Sequence, residues 1–70
     1  MPLWIVHKPN DRFKRGTFFE ETDWGVQEAI IKRVGNKLTV EDTKGFIFPV
    51  AEIQPYALRI SRNKVDWENL

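Results

Sequence analysis

The chain has no cysteine, one histidine and one serine among its 70 residues. Without cysteine, neither a disulfide nor a thiolate metal site can brace the fold. His7 alone cannot build a histidine-based metal site. Ser61 and His7 are the only residues from which a Ser-His pair could be drawn, and nothing in their spacing brings them together. No P-loop, glycine-rich dinucleotide turn or nucleophile elbow is present. No apolar run approaches the roughly 18–20 residues that span a bilayer. The opening MPLWIVHKP has only Leu3 to Val6 as an apolar segment, with no basic stretch before it, so it does not read as a secretory signal. These absences lead to the expectation of a cytoplasmic, non-enzymatic chain with no cofactor, no metal and no membrane span.

What is present is aromatic and charged. Three Trp, five Phe and one Tyr must supply most of a core in a single small domain. Each ring can bury roughly 150–250 Å². The same rings could serve a binding surface or a homo-oligomer interface. The formal net charge is +1, which argues against a general coat for DNA. The charge is nonetheless uneven. Lys8, Arg12, Lys14 and Arg15 stand against Asp11 alone in the first sixteen residues, and Glu20, Glu21, Asp23 and Glu28 then follow with no base before Lys32. The two segments are suited to pair as adjacent strands.

Turn chemistry divides the chain into short runs. Leu3 to His7 reads as a first strand. Pro9-Asn10-Asp11 reads as a turn, because Pro fixes φ while Asn and Asp bond nearby backbone. Phe13 and Thr17 to Phe19 suggest a second strand with a bulge at Gly16. Residues 23–34 admit two readings. Val26, Ala29, Ile30 and Val34 fall at helical spacing, with Asp23 as N-cap and Gly35 just beyond the end. Against this, Val26, Ile30, Ile31 and Val34 are β-branched, and Gly25 is poor in a first helical turn. The strand reading is adopted, with strands at Ala29–Val34 and Leu38–Glu41 joined by Gly35-Asn36. Lys44-Gly45 reads as a second turn, after which Phe46, Phe48 and Val50 share one face of a further strand. Pro49 belongs at an edge or bulge. Residues 51–55 suit a 3₁₀ turn. Tyr56, Leu58 and Ile60 alternate with Ala57 and Arg59 in a last strand. Residues 1–60 are thus expected to form the domain and 61–70 a C-terminal tail.

The pattern Trp24…Ala29-Ile30-Ile31…Gly35-Asn36-Lys37-Leu38-Thr39-Val40…Gly45…Pro49-Val50…Ile53…Pro55 resembles the SH3-like barrels of Tudor, KOW and integrase C-terminal type. The resemblance implies an all-β, SH3-like barrel of about five strands. Such modules bind nucleic acids and peptides or dock subunits, so the fold alone does not choose a function. A Tudor-type cage would require Trp24, Phe46 and Tyr56 to converge. A second resemblance covers only MPLWIVHKP, which looks like the opening of the small tautomerases. It implies Pro2, exposed by removal of Met1, as a secondary-amine general base. That family needs a β-α-β unit, which only the helical reading of 23–34 would supply, and a glycine-rich C-terminal hairpin that is missing here.

The expectation is therefore a non-catalytic binding module, either an accessory subunit or an inhibitor encoded by a phage or other mobile element. Its partner is a protein or a nucleic acid. For nucleic acid the candidates are Lys8, Arg12, Lys14 and Arg15 on phosphate, Phe13 stacking on a base, and Arg59 and Arg62 extending the surface if the last strand lies beside the first. For a protein partner they are Trp24, Phe46, Tyr56 and Trp67. Val65, Trp67 and Leu70 form a further anchor, on this domain or on a partner. Glu20, Glu21 and Asp23 are read as a solvated acidic turn in preference to a cation site.

Overall fold

The structure, a computed structural model, describes residues 2–69. Met1 and Leu70 lie outside the described residues, and with them the Leu70 part of the C-terminal anchor. The fold is all-β. Five strands follow in order: β1 (Leu3–Val6), β2 (Phe18–Thr22), β3 (Gly25–Val34), β4 (Lys37–Phe48) and β5 (Ala57–Ile60). A 3₁₀ turn at Val50–Glu52 precedes β5, and another spans Trp67–Asn69. All pairings are antiparallel, in the spatial order β4-β3-β2-β1-β5.

Residues 25–34 are strand, not helix, and Gly25 shows why. Its φ is +143°, and a Cβ there would lie 2.2 Å from the carbonyl oxygen of Phe48. The glycine admits the neighbouring strand, and Val26, Ile30, Ile31 and Val34 then suit the pleat. The Gly35-Asn36 turn joins β3 to β4 as the sequence predicts.

The predicted turn at Lys44-Gly45 does not form. β4 runs through it, and the register jumps from Glu28 opposite Lys44 to Gln27 opposite Ile47. Gly45, at φ +78°, absorbs the extra residues as a bulge. A second irregularity, between Ile30 opposite Asp42 and Ile31 opposite Val40, leaves Glu41 without an opposite residue. Two of the predicted strands are therefore one long, bent edge strand.

The expected second and last strands also differ in detail. The segment before Phe18 is a loop held by Asn10, whose Oδ1 accepts the N–H groups of Arg12 and Phe13. Tyr56 lies in the turn before β5, and its carbonyl accepts from the His7 and Lys8 amides. Ala57 is buried in the larger cluster, Leu58 is exposed and Ile60 packs against the smaller cluster, so both faces of β5 carry apolar contacts.

β1 is buried along its whole length and separates two apolar clusters. On one side Trp4 and Val6 pack with Phe19, Val26, Ile53 and Ala57. Phe13, Phe19 and Phe48 meet there edge to face, with centroids 5.1–6.4 Å apart. On the other side Leu3 packs with Leu38 and Val65, flanked by Phe18, Ile31, Val40, Ile60 and Trp67. Val65 comes from the segment expected to be a tail. The Leu38 amide donates to Arg62 O at 2.8 Å and the Val65 amide to Asn36 O at 3.1 Å. Residues 62–65 thus join the start of β4 to the chain beyond β5.

Candidate docking surface

Of the exposed hydrophobic side chains that stand clear of both clusters, Trp24, Ile30, Val34, Phe46, Ile47 and Leu58, two are aromatic. Trp24 is 80% exposed and Phe46 is 82% exposed. Each is displayed by a local device. Trp24 occupies the β2–β3 turn, where Thr22 Oγ1 accepts the Trp24 amide at 3.1 Å and donates to Gly25 O. The close approach of Gly25 to Phe48 anchors that turn on β4. Phe46 sits on the bulge, where Gln27 Nε2 donates to Gly45 O at 3.0 Å. Ile47, 44% exposed, adds apolar surface next to Phe46, and its Cγ2 lies beside Gly25. Its role was missed in the sequence because Phe46 and Phe48 were assigned one face. The bulge parts them: Phe48 packs against the core while Phe46 faces solvent.

The other two aromatic candidates are placed differently. Tyr56 is half-buried against the larger cluster, at the Val6 end of β1, whereas Trp24 lies beyond the Leu3 end. Trp24, Phe46 and Tyr56 therefore do not form a cage. Trp67 is half-buried on its own domain. Its Nε1–H donates to Gly35 O at 3.4 Å, and the Arg33 guanidinium lies 3.9 Å from the ring centroid.

The basic candidates are divided as well. Arg12 pairs with Glu52 at 2.6 Å and lies over the Phe13 ring. Phe13 itself is half-buried and packs in the aromatic trio. β5 does lie beside β1, but Arg59 is opposite Trp4 and Arg62 lies beyond Leu3, away from the 7–17 loop. Arg59 pairs with Glu21 at 3.1 Å, and Arg62 pairs with Glu20. Glu21 also accepts from Trp4 Nε1 at 3.0 Å. Lys8, Lys14 and Arg15 are exposed and make no ion pair with any described residue.

Pro2 lines an open groove of about 480 Å³ with Arg59, Ile60, Ser61, Arg62 and Asn63. Both arginines there already face carboxylates, and the β-α-β unit of the tautomerase reading is not formed at 23–34. Among the described residues no three His, Asp or Glu side chains gather to hold a metal ion, and no helix is long and apolar enough to cross a membrane. No family model matches the chain, and neither curated proteins nor solved structures yield a match.

Proposed function

We propose that this chain is a non-catalytic binding module that docks onto a protein partner through Trp24, Phe46 and Ile47. The observation that carries the reading is the pair of aromatic side chains, each about four-fifths exposed, held outward by a hydrogen-bonded turn and a bulge. Exposed aromatics of this kind are the usual anchors of protein interfaces. The pairing of Arg12, Arg59 and Arg62 with acids removes much of the charge that phosphate binding would use. The strand order, with a 3₁₀ turn ahead of the last strand, supports an SH3-like module of the kind the sequence pattern resembles.

Docking by side chains fits better than the addition of a partner strand. β4 is an edge, but its bulges interrupt the regular alternation a new strand would need. An accessory subunit or an inhibitor acting in the cytoplasm is the biological setting this favours. The test is photo-crosslinking from position 46 in the native cell, with position 14 as the control site. One discrete protein adduct from position 46, lost on Trp24→Ser, supports the reading. Adducts to nucleic acid from position 14, with none from 46, overturn it.

A further inference from the structure

A second surface lies on the far side of β1 and has no part in the docking surface. It is built around Trp67. One face of that ring is covered by the Arg33 guanidinium of β3, and its N–H donates to the Gly35 carbonyl in the β3–β4 turn. The ring also lines a hollow of about 180 Å³ with Ile5, Val6, His7, Arg15 and Gly16. The tail thus brings its indole to the imidazole and guanidinium of the N-terminal segment, more than fifty residues away in sequence.

Three properties of the hollow limit its ligand. It is smaller than the roughly 300–1,000 Å³ of sites for drug-sized molecules, so it suits a single flat ring system. Gly16, at φ +91°, leaves open space where a side chain would otherwise stand. Arg15 makes no ion pair among the described residues, whereas Arg12, Arg59 and Arg62 each face a carboxylate. Lys14 adds a second unpaired cation next to it in sequence. Asp66 and Glu68 do not line this hollow; they line a neighbouring one that shares Trp67 and also holds Asn36, Lys64 and Val65.

We infer that this hollow binds a nucleobase carrying a phosphate, with the base against Trp67 and the phosphate on Arg15. Bases of any identity stack on indole, and Arg meets phosphate with two parallel hydrogen bonds. His7 then lies within the same hollow to meet the base edge. Free nucleotides and single-stranded nucleic acid share this chemistry. The site is independent of the Trp24–Phe46 surface, and either can fail alone.

The experiment is an amide and indole NMR titration of the full chain at low salt. The probes are AMP, UMP, an oligo-rU octamer and inorganic phosphate. The expected result is a saturable shift of the Trp67 indole N–H and the Gly16 amide, with the Trp4 and Trp24 indoles unmoved. The octamer binding more tightly than UMP would assign the ligand to a strand, and equal affinity to a free nucleotide. Arg15→Glu should weaken binding about tenfold or more, since it removes a charge-assisted hydrogen bond, and Arg15→Lys should retain part of it. Arg15 is exposed, so neither variant threatens the fold. No Trp67 shift at millimolar nucleotide, the same shifts with phosphate alone, or an unchanged affinity in Arg15→Glu would each overturn the inference.

Discussion

The two apolar clusters flanking β1 are built on different principles. The larger one draws Trp4, Val6, Phe19, Val26 and Ala57 from four hydrogen-bonded strands, with Ile53 from the turn between β4 and β5. The smaller one is closed by Val65, which belongs to no strand and whose amide donates to Asn36 in the turn before β4, while Arg62 accepts from Leu38 of β4. One side of the molecule is closed by sheet pairing and the other by a strap. The first should be the cooperative core, and the second a place where the fold opens locally.

Phe19→Ala should give the largest effect. Phe19 is fully buried and is one member of the aromatic trio. The expected loss is about 3–5 kcal/mol, measured by urea unfolding. That is a large share of the stability of a 70-residue domain, so the variant should be substantially unfolded at 37 °C. A loss below about 1 kcal/mol would mean that the larger cluster is not the stabilising core.

Gly25→Ala should come next, at about 2–4 kcal/mol. The strained φ and the overlap with Phe48 O both act against a Cβ. This residue also shows what the sequence could convey. The β-branched positions of 25–34 marked a strand, and Gly25 was legible as a poor helical residue. Its contact with Phe48 was not, because that contact depends on the register of β4. Gly45 is the counterpart. A glycine at positive φ serves a turn and a bulge equally well, and only pairing with Gln27 and Glu28 decides between them. The division of Phe46 from Phe48, and hence half of the docking surface, followed from that bulge and could not be read locally. Trp24 needed no such information, since it stands in a turn.

The strap was the least legible element. Val65 and Trp67 are set in a polar segment with Asp66 between them, and their contacts lie with Leu3, Leu38 and the Gly35 turn, far off in sequence. Val65→Ala tests it. The expected loss is about 1–2 kcal/mol, part of the roughly 1.5–3 kcal/mol of burying a whole Val side chain. Hydrogen exchange sharpens the comparison. The Leu38 amide, bonded to Arg62 O, should lose protection in this variant by more than the amides of Phe19 and Val26 do. Equal loss at all three would mean that strap and sheet unfold together, and the contrast between the two clusters would fail.

The smallest effect on stability should come from Trp24→Ser combined with Phe46→Ser. Neither side chain belongs to a cluster, and each is mostly in water already. The turn that carries Trp24 is held by Thr22, and the bulge that carries Phe46 by Gln27, so both devices survive the substitutions. Surface changes of this kind usually fall within about 0.5 kcal/mol. Urea midpoints should therefore match those of the parent chain while the partner complex, followed by crosslinking from position 47, disappears. A loss above about 1 kcal/mol would show the two rings to be part of the fold's own packing, and the docking surface would lose its basis. If stability and complex are both unchanged, the rings are exposed without being used, and the docking reading fails while the hollow beside Trp67 is untouched by the result.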